Sequence, residues 1–233
     1  YLHEDLLALY IGYVFVGCSF PKPHLLRHVM KRDLPFAHIV HWQNEPGGVL
    51  IDYPQGVTLA IQQLRERGCR RIGVIGFQRH LEGLAELIRA LHVDGYATPD
   101  ARRMSEAEHY GHLAWEQMVA ADRPVPDGIV IVDDILARGM TRAMLTQGPE
   151  SCPPPQVAVL SSRRMLIPLG LPIIHIAHES KQTARAAIEL VMAQHHGKSP
   201  AEDTTIRFEV ADEAAGGPAD HFTLGSLSFS QKE

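Results

Sequence analysis

The chain has 233 residues, enough to bury a sizeable core in one domain or in two small lobes. Hydrophobic residues make up 45% and charged residues 21%, ordinary globular usage, while a net charge of −5 argues against a nucleic-acid-binding surface, which would be basic. The opening Tyr1-Leu2-His3-Glu4-Asp5 does not read as a signal peptide, no apolar run is long enough for a membrane span, and the scattered Cys18, Cys69 and Cys152 fit the reduced thiols of a cytoplasmic protein.

The first residue is not Met, which is compatible with a start inside a longer protein. Gly12-Tyr-Val-Phe-Val-Gly17 is a short β-branched and aromatic run closed by glycine and reads as a buried strand. Helical signals cover His24–Lys31, a second strand is predicted over Phe36–His41, and a third over Val49–Ile51. Val57, Ala60, Ile61 and Leu64 then recur at helix spacing up to Gly68. Arg71-Ile-Gly-Val-Ile-Gly76 is another strand, and Leu84, Leu87, Ile88 and Leu91 mark a further helix. Trp115, Met118 and Val119 suggest a helix before the apolar strand Gly128–Val132. A helix over Ile135–Leu145 and strands at Val157–Leu160 and Pro172–Ile176 follow. Ala184, Ala187, Ile188 and Val191 share one helical face, and Thr204–Val210 reads as a last strand before a polar tail.

Strands that are apolar throughout and alternate with helices predict an α/β protein with a parallel sheet covered on both sides. Such sheets take ligands at the carboxyl ends of their strands, which singles out the loops after Gly17, Gly76, Val132 and Leu160.

Three segments carry a family likeness. The first is Val49-Leu-Ile-Asp52 with Gly56, Ala60, Leu64, Gly68 and Arg70-Arg-Ile-Gly-Val-Ile-Gly76. The second is Pro126-Asp-Gly-Ile-Val-Ile-Val-Asp-Asp134 with Ala137, Gly139, Ala143 and Leu145; the third is Thr183–Leu190 with Gly197 and Pro200. In this order and spacing the chain resembles the effector domains of LacI/GalR-like transcriptional regulators, which have a two-lobed periplasmic-binding-protein-like fold. The resemblance implies one lobe from residues 1–52 with 174–197 and another from 53–173 with 203–233, joined by three crossings. Each lobe would be a parallel sheet flanked by helices. The family's opening strand, helix and strand should precede Tyr1, so the first lobe is expected to be incomplete at its N-terminus.

The same resemblance points to site residues. Family members contact an effector through an arginine after the strand equivalent to 72–76; with the register fixed by Gly83, His80 falls at that place beside Arg79. These two are expected in a loop, as hydrogen-bonding or ion-pairing groups. Asp133 stands where the family has Asn and could accept from two adjacent sugar hydroxyls, while Asp134 is expected to cap the next helix. After Val157–Leu160 the family has Gly-Phe-Asp-Asp, whereas here Ser161-Ser-Arg-Arg164 puts Arg163 at the acidic position. Arginine's planar fork suits carboxylate or phosphate, which predicts a sugar acid or sugar phosphate as effector.

The implied partners are a small-molecule effector, a second copy in a homodimer, and DNA only through a head outside these residues; no membrane partner, cofactor or metal is expected. His24 with His28 and His175 with His178 read as ordinary histidines rather than metal ligands. No nucleophile–base pair, Walker loop or dinucleotide fingerprint emerges, so an enzyme is not expected. The rival class is a solute-binding protein for transport or chemotaxis with the same fold.

Overall fold

The computed structural model describes residues 10–16, 24–41, 47–101, 103–122, 124–147, 154–162, 171–198 and 204–211. In chain order these form β1 (Tyr13–Phe15), α1 (His24–Lys31), β2 (Phe36–Val40), β3 (Gly48–Ile51), α2 (Tyr53–Glu66), β4 (Ile72–Phe77), α3 (Gln78–Ala90) and β5 (Asp94–Thr98). There follow α4 (Met104–Ala120), β6 (Gly128–Ile131), α5 (Asp134–Gln147), β7 (Gln156–Ser162), β8 (Ile173–His178), α6 (Ser180–His195), β9 (Thr204–Ile206) and β10 (Glu209–Ala211).

The strands make two sheets, one ordered β1-β2-β3-β9 and one ordered β10-β8-β7-β6-β4-β5. Every pairing is parallel except that of β10 with β8. The expected two-lobed α/β architecture is therefore present. The six-stranded sheet is covered on both faces, as its apolar strands require. On one face Val57, Ile61 and Leu64 of α2 and Leu84 of α3 pack over Val74, Val130, Ala158 and Ile176. On the other, Trp115 and Met118 of α4 and Leu136 and Met140 of α5 pack over Ile75, Ile129, Ile131 and Val159. Helix α6 lies on β2 and β3 of the smaller sheet and sinks Ala187, Leu190 and Val191 against it.

Local chemistry sets the element ends. Asp52 caps α2, its Oδ1 accepting from the Gln55 N–H at 3.0 Å, with Pro54 in the first turn. Gly68 ends the same helix at φ +90°, and Gly197 ends α6 at φ +68°, in the left-handed region that favours glycine. The α4–α5 pair depends on two other glycines: a Cβ on Gly111 would overlap the Leu136 carbonyl, and one on Gly139 the Glu108 carbonyl. The two helices thus meet backbone to backbone.

Two segments stand in a different sheet from the one the sequence suggested. The strand placed in the first lobe with residues 174–197 is β8, which pairs with β7 and β10 in the six-stranded sheet. Ile173, Ile174, Ile176 and Ala177 are all buried, and such a two-faced apolar run needs the sheet that is covered twice. Conversely, the single strand predicted over Thr204–Val210 is two strands: β9 joins the smaller sheet beside β3, and β10 returns to the larger one beside β8. The chain passes between sheets at Asp52, at Glu179 and at Arg207–Phe208. Strand β5, Asp-Gly-Tyr-Ala-Thr, carries little of the apolar signature and does not stand out in the sequence; among the described residues it is an edge strand, paired to β4 alone.

Candidate functional site at the junction of the two lobes

The three crossings are tied to one another. The Asp52 N–H donates to the Ile206 carbonyl at 2.9 Å, joining the first crossing to the third. One turn into α2, the Gln55 side chain donates to the Phe208 carbonyl at 3.0 Å and accepts from the Phe208 N–H at 2.9 Å, the same pair of bonds a neighbouring strand would offer. A Cβ on Gly56 would come within 2.7 Å of the Phe208 ring, so glycine there lets the ring lie on the helix. The second crossing joins through its last strand residue, His178, whose ring stands 5.2 Å from that of Phe208.

Around Phe208 a group of rings spans both lobes. Tyr53, the first residue of α2, meets Phe208 at 5.3 Å, His80 at 6.0 Å and His41 at 4.9 Å between centroids. His41 follows β2 and is the first lobe's contribution. His80 in turn meets Phe77 at 5.3 Å, and the Arg79 guanidinium lies 5.4 Å from the Phe77 centroid, a cation–π contact.

This setting decides protonation. Burial, followed by the charge of Arg79 and the proximity of His41, pushes His80 down to about 3. Burial, then His178 and Arg79, pushes His41 down to about 4. His178 is lowered by burial against the opposing pull of Glu179, so all three imidazoles are neutral at pH 7. Tyr53 is raised by burial and by Asp133 and Asp134, which keeps its hydroxyl protonated. Both acids are themselves raised, chiefly by burial.

The residues singled out from sequence can now be placed. Arg79 and His80 do not lie in a loop: helix α3 starts at Gln78, directly after β4, so both sit in its first turn. His80 is only 5% exposed and neutral, which removes the ion-pairing role and leaves hydrogen bonding. Arg79 is exposed; its N–H donates to Asp100 Oδ1 at 3.4 Å and its Nε stands 4.0 Å from the same oxygen. Asp133 is half-buried at the end of β6, and it, not Asp134, caps α5: its Oδ1 accepts from the Leu136 N–H at 2.9 Å. Asp134 is the first residue of the helix proper. Arg163 lies outside the described residues. The sequence does not single out Tyr53, His41 or Phe208, and it reads His178 as an ordinary histidine. The available signal was positional, since each stands at or next to a strand end beside a crossing.

Among the described residues, no group of three or more His, Cys, Asp or Glu side chains could hold a metal ion, and no helix is long and apolar enough to cross a membrane. The junction brings together aromatic faces, neutral imidazoles and carboxylate acceptors, groups that can stack on and hydrogen-bond a polar molecule.

The family model for the periplasmic binding protein-like domain matches residues 61–211, well over half of the chain, and the chain belongs to that family. Its fold is shared with solved LacI-family regulators. A LacI transcriptional regulator from a Rhodococcus species is 20% identical, with a TM-score of 0.69 over 89% of this chain and 79% of that one. The Cra transcriptional dual regulator from Pseudomonas putida, solved with fructose 1-phosphate, is 19% identical, with a TM-score of 0.67 over 88% and 81%. A LacI family regulator from Bifidobacterium animalis subsp. lactis is 14% identical, with a TM-score of 0.71 over 90% and 79%. No curated protein matches the chain in sequence.

Proposed function

We propose that this chain is the ligand-sensing domain of a transcriptional regulator, taking a small sugar-like effector into the cleft between its lobes. The observation that carries the reading is the ring and carboxylate cluster at the three crossings, where a molecule held by both lobes would change their relative setting. Tyr53 and His80 of the larger lobe meet His41 of the smaller one there, with Asp133 near enough to raise the Tyr53 hydroxyl. Effector binding stabilises one lobe arrangement, and in a homodimer that shift repositions DNA-binding heads outside these residues. The fold shared with LacI-family regulators, one of them holding a sugar phosphate, supports the reading. In this reading the chain binds rather than turns over its ligand and acts in the cytoplasm.

Arg163 belongs to this proposal as the group that favours an anionic effector, with Arg79 as the positive charge at the rim. A thermal-shift comparison of neutral sugars with their acid and phosphate forms tests both levels. A ligand at a hundred times its dissociation constant adds about 2.7 kcal/mol of stability, and roughly 2–4 °C of melting temperature per kcal/mol is expected at this size. A shift confined to anionic sugars and lost in Arg163→Ala supports the anionic effector. A shift with neutral sugars alone keeps the sensor and removes that role, and silence across the panel overturns the sensor reading.

A further inference from the structure

Strand alternation sends Val157, Val159 and Ser161 of β7 to the same face of the large sheet, the one under α4 and α5. The strand register puts Ile75 beside Ile131, Ile131 beside Val159, and Ser161 beside Ala177. Carried two residues on, the row at the carboxyl ends of the strands is Phe77, Asp133, Ser161 and Ala177. Its outer members are apolar and its centre is polar. Neighbouring strands lie about 4.8 Å apart, so Asp133 and Ser161 stand side by side at the level of the crossings.

Ser161 is 8% exposed, yet its Oγ has no hydrogen-bond partner. Leaving a buried hydroxyl unpaired costs about 1–3 kcal/mol. It does not bond to the carboxylate beside it. Asp133 accepts from the backbone N–H groups of Leu136 and Ile135, and a carboxylate with about four acceptor positions retains further capacity. One strand therefore presents an unused donor–acceptor and the next an unused acceptor, with neither satisfying the other.

We infer that Ser161 and Asp133 form a subsite for a single hydroxyl of the effector, which donates to the Asp133 carboxylate and accepts from the Ser161 hydroxyl. A hydroxyl fits because it gives and takes at once; an ammonium has nothing with which to accept from the serine, and a carboxylate has nothing to donate to the aspartate. This makes Ser161 a specificity-determining residue at the floor of the cleft, and it rests on the sensor reading above.

The test is calorimetric titration of the chain and its Ser161→Ala and Ser161→Thr variants. The probes are D-glucose, D-galactose and D-ribose, with 2-deoxy-D-glucose, 6-deoxy-D-galactose and 2-deoxy-D-ribose as partners lacking one hydroxyl. The expected result is that a sugar bound by the parent binds Ser161→Ala about five- to tenfold more weakly, as for the loss of one net hydrogen bond of about 1–1.4 kcal/mol. Ser161→Thr, which keeps the hydroxyl, should restore most of the loss. Where the deoxy partner lacks the hydroxyl concerned, it should bind the parent weakly and lose nothing further in Ser161→Ala. A sugar that binds the parent and Ser161→Ala equally overturns the subsite, leaving a structural water as the partner of the serine, and keeps the sensor. Failure of every one of these sugars to bind the parent overturns the subsite as one for neutral sugars; the sensor reading falls only if the sugar acids and phosphates of the thermal-shift panel fail as well. Melting curves of the unliganded variants separate either outcome from misfolding.

Discussion

In the six-stranded lobe, Gly111 and Gly139 let α4 and α5 close backbone to backbone over one face while α2 and α3 cover the other. In the four-stranded lobe, Tyr10, Ile11 and Val14 at the edge strand β1 and Ile188 of α6 stay at the surface and line a shallow apolar groove. The difference shows a division of labour. The six-stranded lobe carries Asp133, Ser161 and His178 at its strand ends and His80 in the first turn of α3, and the four-stranded lobe brings His41 beside Tyr53. Positioned groups need a packed support, and the more fully packed lobe is the one that carries most of them.

The largest effect of any single group on this contrast should come from Gly139→Ala, which drives a methyl into the Glu108 carbonyl and pushes α4 off α5. A loss of about 3 kcal/mol is expected, the upper range for overpacking, measured by urea unfolding. Next comes acid. The folded pKa values of His41 and His80 lie below the unfolded value, so the unfolded chain binds protons that the native one refuses. Stability should therefore fall as pH drops below about 6.5, continuing until the native groups themselves titrate near 4 and 3. The slope approaches about 1.4 kcal/mol per pH unit for each full proton, so about 2 kcal/mol per histidine by pH 5. The raised Asp133 and Asp134 act in the opposite sense near the acid end of that window. His80→Gln should flatten the curve, and an unchanged slope would remove His80 from the account.

A smaller loss is expected in the four-stranded lobe from Gln194→Ala. Its side chain accepts from the Phe36 N–H at 3.1 Å and donates to the Phe36 carbonyl at 2.6 Å, tying α6 to the start of β2. Losing both bonds should cost about 1–2 kcal/mol, with thermal unfolding as the measure. Ile188→Thr should change stability by no more than about 0.5 kcal/mol, because the side chain is 58% exposed. A larger loss would mean that the groove is covered in solution.

The fold was legible wherever one signal sufficed. His24–Lys31 emerged with its bounds, and the strands at 72–77, 128–131 and 156–162 were marked by apolar runs, because parallel strands buried on both faces leave that trace. Strand β5 escaped because an edge strand of Asp, Gly, Tyr, Ala and Thr has no such run. The stretch 204–211 was read as one strand because nothing in Arg207-Phe208 announces a change of sheet; the cause is the distant Gln55 clamp. Of the candidate site residues, Asp133 could be placed from its strand end. Its capping role was assigned to Asp134 instead, since adjacent acids offer the helix two candidates and only geometry chooses. His80 could be located but not its burial, because that depends on Tyr53 and Phe77 arriving from other elements.

The bonds from Asp52 to Ile206 and from Gln55 to Phe208 have a mechanical consequence. Two straps fastened together along their length bend readily in one plane and resist twisting or sliding past each other. The third strap is seated against them through His178 and Phe208. The lobes are thereby joined by something close to a door hinge with a single axis, which favours opening and closing over twist.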